Sequence, residues 1–337
     1  MLHVALAGVV GCASALAADK PAQDPLDYRH DLARQLQKSD SPRDWALSAQ
    51  LLDTRPASGA NLRERLAILQ KAAHAAPDDR MVQGLWADVA LDGHCKAKMA
   101  CGNPSALSRL EPDNGIAWLP AVDRAWRAGN PRVTDAAIAR LAQSSRYNEH
   151  IGEAIAAWRD VLQRFPPPKP DGANVTAEGG HVLELAFDEA VETAIPSAAS
   201  LVDACSRAKH PNAGAKRFQD CGRIARVMMG RSQTLVGRSF GVAVLRASHT
   251  GTPADVERVR TVTWQAEQAG KFAAAIAADP VARQNYMNLI QSNDSEMPAI
   301  HYDLTIFGMA LTPPPDWKQT VNGKPVEPLD DVPEQKP

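Results

Sequence analysis

At several points along the chain, a residue with a capping side chain stands directly before a proline. Such pairs include Asp24-Pro25, Ser41-Pro42, Asn103-Pro104, Thr252-Pro253 and Asp279-Pro280. Proline is well tolerated in the first turn of a helix, because its missing N–H would have no intrahelical partner there. A preceding Ser, Thr, Asp or Asn can accept a hydrogen bond from a free amide of the same turn. The pairs therefore predict helix starts spread over most of the chain.

Apolar residues between these starts recur at intervals of three and four. The clearest series are Leu62, Leu66, Leu69 and Ala73, and Ile151, Ile155, Trp158 and Leu162. This is the period of a helix that is buried on one face. Hydrophobic residues make up 45% of the chain but aromatic residues only 5%, which suits close packing of helices through small side chains. Since long alternating runs typical of strands are missing, the sequence predicts an all-α fold.

An internal repeat is visible in the first half of the chain. Pro112 stands 35 residues after Pro77, and each proline begins a Pro-Asp turn that leads to a tryptophan, Trp86 or Trp118. A turn followed by a Trp-bearing helix with a period near 34 resembles the tetratricopeptide repeat (TPR). The resemblance covers residues 41–164 and implies helix-turn-helix units that present a surface to a partner.

Two features depart from the TPR pattern. Pro120 lies inside the expected first helix of one copy, and the segment 95–101 interrupts the second helix of the other. We therefore expect either a TPR-like α-solenoid or an irregular helical bundle, arranged in two blocks. A groove lined near Trp86, Trp118 and Trp126 would favour a binding module.

Composition suggests how the chain is divided. Four prolines between 166 and 170 form a break, and seven prolines with few apolar residues follow Thr312. The predicted segments are a signal peptide (1–17), a TPR-like helical block (18–164), a Pro-rich linker (165–178), a second helical block (178–311) and a disordered Pro-rich tail (312–337).

The first residues predict export. Residues 4–17 are apolar or small and contain no Asp, Glu, Lys or Arg, and Ala15-Leu16-Ala17 has the small-x-small pattern of a signal-peptidase site. The apolar stretch is shorter than the ~20 residues of a spanning helix. A lipoprotein signal ending at Cys12 is the alternative. We expect a periplasmic or secreted protein without a membrane span.

Four cysteines follow the predicted signal peptide, and an even number in an oxidising compartment predicts two disulfides. Cys95 and Cys101 cannot be bridged within one helix, because six residues of helix rise ~9 Å and bridged Cα atoms lie within ~7 Å. Cys205 and Cys221 flank the turn 211–214, so their bond would join two helices near that turn. A metal site using His94 with Cys95 and Cys101 is the alternative, although it lacks the usual ligand spacing.

The most enzyme-like motif is Gly237-Arg238-Ser239-Phe240-Gly241. It matches G-x-S-x-G, the nucleophile elbow of α/β-hydrolases, and Asp279 and His301 follow in hydrolase order. The elbow functions only between a strand and a helix of a parallel sheet, which the sequence does not predict. Interpreted as helix, the region has a buried stripe formed by Ile224, Met228, Leu235, Val242 and Leu245.

Polar clusters complete the set of candidates. One side of a predicted helix carries His181, Glu184, Asp188 and Glu192. Two interpretations are open: these residues bind a metal ion, or they form an ordinary solvated face. A basic strip could bind an anion, or its members could pair with acids of neighbouring helices: Arg223, Arg226, Arg231, Arg238 and Arg246. His150, beside Tyr147 and Glu149, is the histidine that most invites inspection, although a helix end explains it equally well.

Together these patterns predict an exported helical-repeat protein that binds a protein or a cell-envelope component. The net charge of −2 argues against a nucleic-acid partner. No catalytic residue, metal ligand or cofactor is assigned. The alternatives are a serine hydrolase using Ser239, and a helical enzyme whose site forms only in three dimensions. The partner and the oligomeric state are left open.

Overall fold

The computed structural model describes residues 25–52, 59–88, 103, 105–168, 178–321 and 324–326. Most of these residues are helical, and the strands among them are limited to one short hairpin, which confirms the all-α prediction. The helices are α1 (Pro25–Gln37), α2 (Pro42–Leu51), α3 (Gly59–Ala75), α4 (Arg80–Asp88), α5 (Ala106–Leu110), α6 (Leu119–Arg127), α7 (Pro131–Leu141), α8 (Ile151–Arg164), α9 (Glu178–Ala194), α10 (Ala199–Ala204), α11 (Ala215–Arg231), α12 (Leu235–Ser248), α13 (Pro253–Ala278), α14 (Pro280–Asn293) and α15 (Met297–Ile306). A short antiparallel hairpin, β1 (Gln319–Val321) and β2 (Lys324–Val326), follows α15.

Capping side chains begin the helices much as the sequence predicts. Helices α1, α2, α13 and α14 each begin at the proline of a predicted pair. Ser41 accepts a hydrogen bond from the amide of Asp44 at 3.3 Å, and Asp279 accepts one from Val281 at 2.8 Å. The exception is α5, which begins at Ala106, two residues later than the pair at 103–104 predicts.

The second predicted repeat copy differs from a regular helix. Residues Gly115–Trp118 form a 3₁₀ turn, and α6 starts only at Leu119 with Pro120 in its first turn. The physical reason is that Pro120 cannot donate an intrahelical hydrogen bond, so the helix begins around it. The TPR-like repeat stays a prediction.

Two large hydrophobic clusters form the interior, and each combines helices from both halves of the chain. Helices α1–α4 and α8 share the first cluster with α9 and α14. Helices α6 and α7 share the second with α10–α13. A smaller third cluster joins α13 to α15. The predicted boundaries of the two blocks stay a prediction, although the cores do not separate at them.

The disulfide between Cys205 and Cys221 is present, with Cα atoms 5.8 Å apart, as the sequence predicts. It joins the end of α10 to α11, and both cysteines are fully buried in the second cluster. Cys95 and Cys101 lie outside the described residues, as do residues 1–24 with Cys12 and the predicted signal peptide. Among the helices that the structure describes, none is both long and apolar enough to cross a bilayer.

The C-terminal segment differs from the predicted disordered tail, since residues 312–321 and 324–326 have a defined position. The guanidinium of Arg260 donates to the carbonyl oxygen of Pro314 at 2.8 Å, and the indole of Trp264 donates to that of Ala310 at the same distance. Trp317 packs edge-on against Trp264, with ring centroids 5.5 Å apart. This segment therefore binds along α13 through backbone acceptors, which composition does not reveal.

Candidate functional site

Three turns meet where the first cluster borders the second and third. They are residues 142–150 before α8, residues 232–234 between α11 and α12, and residues 294–296 between α14 and α15. We call this meeting point the junction. His150 and Asp294 both adopt the left-handed conformation there, with φ of 55° and 47°. Non-glycine residues in this conformation are uncommon and are often found at functional sites, which makes the junction a candidate functional site.

Glu149 is a buried carboxylate that reaches from its own turn to the turn before α12. It accepts hydrogen bonds from the hydroxyl groups of Ser232 and Thr234 and, at 2.9 Å, from the amide of Gln233. Burial raises the pKa of Glu149 to about 7, although these three donors act in the opposite direction. Because these three neighbours all donate hydrogen bonds to it, the Glu149 carboxylate has its hydrogen-bond partners within the protein.

Glu296 is the second buried carboxylate of the junction. It accepts a hydrogen bond from the amide of Leu235 at 2.7 Å and one from the hydroxyl of Tyr286 at 2.8 Å. Burial raises the pKa of the Glu296 carboxyl. Its side chain thus satisfies a free amide in the first turn of α12, where a negative charge is also favoured by the helix dipole.

His150 lies between two carboxylates. Its Nε2 is 3.0 Å from both oxygens of Glu111, and its Nδ1 is 3.6 Å from Oδ2 of Asp294. Burial opposes the charged imidazole, but Asp294 and Glu111 raise the pKa of His150 to about 9. Burial also opposes the charged form of Glu111, but the hydrogen bond and charge of His150 outweigh it and lower the pKa of Glu111 to about 2. At neutral pH this group is therefore an imidazolium held by two carboxylates.

Asp294 also fixes the start of α8. Its Oδ1 accepts hydrogen bonds from the amides of Gly152 at 2.9 Å and Glu153 at 3.3 Å. A Cβ at position 152 would lie 2.8 Å from the Cα of Asp294, so only glycine permits this approach. The junction is consequently built from helix ends that satisfy one another.

A partly open cavity of about 80 Å³ borders the junction. Its lining is mainly apolar, with charged groups from Arg80, Asp88, Glu149, His150 and Glu153. The cavity is small beside the roughly 300–1,000 Å³ of a typical ligand pocket. Glu153 is already paired with Arg80 at 2.7 Å, and Glu149 and His150 have the partners given above. This arrangement holds helices together and offers few polar groups to a ligand.

The G-x-S-x-G motif lies wholly within α12. The hydroxyl of Ser239 donates to the carbonyl oxygen of Leu235 at 2.8 Å, and no strand precedes the motif in the described residues. Gly237 faces Glu149 and Ser232, which a Cβ would overlap, while a Cβ at Gly241 would lie 2.8 Å from the amide nitrogen of Met229. The two glycines permit close packing, and the predicted stripe from Ile224 to Leu245 is buried.

The basic strip is largely paired within the protein. Arg226 binds Asp255 with a shortest distance of 2.8 Å, Arg223 pairs with Asp220, and Arg246 donates to Gln319. Arg238 has no carboxylate within 4.0 Å among the described residues, and Arg231 is exposed at the end of α11. Pairing with acids therefore explains part of the strip and leaves Arg238 unexplained.

The polar stripe of α9 is described only in part, because the side chains of His181 and Glu184 lie outside the described residues. No group of three His, Cys, Asp or Glu residues in the described part of the chain is placed to hold a metal ion. Phe187 and Val191 of the same helix pack against the first cluster, and Asp188 is exposed. This is the pattern of an amphipathic helix at the surface.

Four exposed apolar side chains lie within ten residues of the chain, in and after α15. Tyr302, Ile306, Phe307 and Leu311 are 44%, 52%, 40% and 41% exposed, and we call them the α15 patch. The other large apolar side chains found exposed in the described residues are dispersed on α7, α12 and α14: Val133, Val236 and Val281. The three tryptophans near which a groove would favour a binding module lie elsewhere, with Trp86 in the first cluster and Trp118 and Trp126 against the second.

Sequence reasoning pointed to His150 and Glu149 but missed the carboxylates that define their surroundings. Glu111 lies far from Asp294 and Glu296 in the chain, and nothing in the local sequence marks Glu111 as buried or places these three carboxylates together. The one available signal was the polar run 292–296 between two helical segments, which is typical of a turn. Comparison with protein-family models, curated proteins and solved structures finds no match to this protein.

Proposed function

We propose that this protein is an extracytoplasmic helical binding module, and that another protein docks on its α15 patch. The observation that carries the proposal is the gathering of four large, exposed apolar side chains within ten residues of the chain. Contiguous apolar surface of this kind commonly marks a site of protein association, whereas isolated exposed apolar residues need no explanation.

The arrangement of the patch supports a protein partner. Tyr302 and Ile306 are four residues apart on α15, so they share one helical face. Phe307 stacks on Phe272 of α13 with ring centroids 5.5 Å apart, which fixes its position before any partner arrives. The carbonyl of Leu311 is held by the side chain of Gln265 at 3.1 Å. Large side chains that are already ordered lose little conformational entropy on binding.

The junction supports a structural role in preference to catalysis. Glu149, His150 and Glu296 have shifted pKa values there, and each is bonded to other helix ends. A general acid or base needs a proton-accepting or proton-donating atom within reach of a substrate. The adjoining cavity is too small for a sizeable substrate, so we retain the helical enzyme only as the alternative.

A site-specific crosslinking experiment tests the proposal. A photoreactive amino acid is placed at position 306 in the patch and, as a matched control, at position 133, which is equally exposed on α7. We expect a discrete and saturable adduct at 306 in the native cell envelope, and none at 133. Unlabelled protein should compete for the adduct, whereas unlabelled Ile306→Asp protein should not.

The other outcomes each contradict part of the proposal. Equal adducts at both positions would indicate non-specific contact, and no adduct at 306 would show that the patch has no partner there. An adduct of twice the protein's mass would identify a second copy of this protein as the occupant, which would replace the proposed partner.

A further inference from the structure

Arg238 is placed where a positive charge is energetically unfavourable. It lies in the first turn of α12, at the positive end of the helix dipole, and its side chain is partly buried. Burial lowers the pKa of its guanidinium, although Glu149 and Glu296 act in the opposite direction. A cation in this setting normally has a carboxylate partner. None lies within 4.0 Å among the described residues, so the position requires another explanation.

The two nearest buried carboxylates do not supply that partner. Glu149 is directed to Ser232, Gln233 and Thr234. Glu296 is directed to the amide of Leu235 and to the hydroxyl of Tyr286. Their charges reduce the electrostatic cost of Arg238 from a distance, but their oxygens bond to other donors.

The guanidinium is nevertheless held in a defined orientation. Its Nε donates to the carbonyl oxygen of Ser232 at 3.1 Å, and its two terminal nitrogens have no hydrogen-bond partner in the described part of the chain. Those nitrogens form a planar pair of donors that matches the two oxygens of a carboxylate. Leu235, in the same first turn of α12, packs with Ile300 and Leu304 of α15 in the third cluster, which places this turn beside the helix that carries the patch. In agreement, burial and the charge of Arg238 both lower the pKa of His301, the residue before Tyr302 of the α15 patch.

We propose that Arg238 binds a carboxylate that the docking protein brings to the edge of the α15 patch. The inference rests on the proposed function, because the carboxylate arrives with the same partner. The guanidinium would gain the ion pair that it lacks in the free protein, and the apolar patch would be covered at the same time. The partner surface is therefore expected to combine apolar side chains with an aspartate, a glutamate or a terminal carboxylate.

Small aromatic anions test this site without knowledge of the partner. Benzoate carries a carboxylate, benzamide is its uncharged analogue, and phenyl phosphate is a phosphate analogue. We expect benzoate to cause saturable changes in the NMR signals of the Arg238 side chain and of the backbone at 301–302. Benzamide should cause none. The signal of Arg231, an exposed arginine at the end of α11, serves as the internal control.

Variants separate binding from a structural role. Arg238→Gln should abolish the benzoate response, and Arg238→Lys, which retains charge but not the planar donors, should weaken it by about tenfold. Because Arg238 is unpaired at a helix start, we expect Arg238→Gln to unfold at the same or a higher urea concentration. A large loss of stability would instead assign Arg238 to the structure of the junction and overturn the inference.

Further outcomes also decide the matter. An equal response at Arg231, or no response at Arg238, would overturn the inference, and clearly tighter binding of phenyl phosphate would overturn the choice of a carboxylate. Crosslinking at position 306 that persists without any Arg238 response would refute this inference alone. A benzoate response without crosslinking would refute the proposed function instead.

Discussion

At position 237 the backbone comes so close to two side chains that only glycine fits. A Cβ there would overlap Oε1 of Glu149 and Oγ of Ser232, the pair that joins two turns of the junction. The same residue is the first glycine of the G-x-S-x-G motif. Its presence is thus explained by the approach of a buried carboxylate to the start of α12, and no strained catalytic turn is needed.

We predict that Gly237→Ala destabilises the protein, because the added methyl group must displace Glu149 or Ser232. Forcing extra volume into a packed site typically costs about 1–3 kcal/mol. Gly230 in α11 is the matched control, since a Cβ there meets nothing within 4 Å. Gly230→Ala should stabilise the helix by roughly 0.5–1 kcal/mol. Urea unfolding of both variants checks the pair, and equal effects would contradict the proposed crowding at 237.

We predict that Ser239→Ala changes neither stability nor any ester hydrolysis. The hydroxyl of Ser239 donates only to the carbonyl oxygen of Leu235, which already belongs to the helix. Its removal should alter the free energy of unfolding by no more than roughly 0.5 kcal/mol. Turnover of a chromogenic ester by the two proteins gives the second measurement. A hydrolysis rate that falls with the substitution would restore the hydrolase alternative.

At the scale of single helices, the sequence contained most of what was needed. Pro42, Pro253 and Pro280 begin helices because a capping side chain and a proline act locally, within one turn. Ser41 caps α2 as predicted, but Asp44 does not complete a capping box by returning to Ser41. Its carboxylate binds both terminal nitrogens of Arg164, at 2.8 and 2.9 Å, from a helix 120 residues away. Local rules predict the cap, and only the tertiary structure determines the long-range pairing.

The disulfide acts at the level of two helices. We predict that replacing both Cys205 and Cys221 by alanine lowers the free energy of unfolding by about 3 kcal/mol. The bond closes a loop of 16 residues, and such a cross-link reduces the conformational entropy of the unfolded chain by about that amount. Urea unfolding of the oxidised wild type and of the variant checks the value. A thiol reductant should destabilise the wild type by about 3 kcal/mol more than the variant, in which only the predicted Cys95–Cys101 bond can be reduced. An equal effect on both proteins would show that the Cys205–Cys221 bond is absent in solution.

At the scale of the molecule, the junction could not be predicted because its partners are far apart in the chain. His150 lies 39 residues from Glu111 and about 144 from Asp294, and its sequence neighbours gave no indication of either. A histidine between two carboxylates is protonated at neutral pH, whereas an isolated histidine is mostly neutral. The sequence identified His150 as worth attention, but its charge state depends wholly on residues that folding brings to it.

Groups of the junction, together with Asp303, a buried residue of α15, determine how stability should vary with pH. Glu149 titrates at about 7 in the folded protein instead of 4.5, and Asp303 at about 6 instead of 3.8. In both cases the folded state binds a proton more tightly, so stability falls as pH rises from the ordinary pKa through the folded one. The contribution of His150 to stability also falls as pH rises. Its folded pKa of about 9 lies above 6.5, so its contribution is complete below pH 6.5 and is lost as pH rises through 9.

We therefore predict that the protein is more stable at pH 5.5 than at pH 8.5, by a few kcal/mol in order of magnitude. Acid should weaken it below about pH 4.5, because the unfolded chain then binds a proton at Glu111 that the folded protein binds only near pH 2. Urea unfolding across this pH range measures the slope of the free energy of unfolding against pH. This slope is more informative than the absolute stability of any variant. Glu149→Gln should flatten the slope between pH 4.5 and 7, and His150→Gln should flatten it between pH 6.5 and 9. A stability that rises from pH 5.5 to 8.5 would show that these charges are not buried as described, and that the junction is open to water.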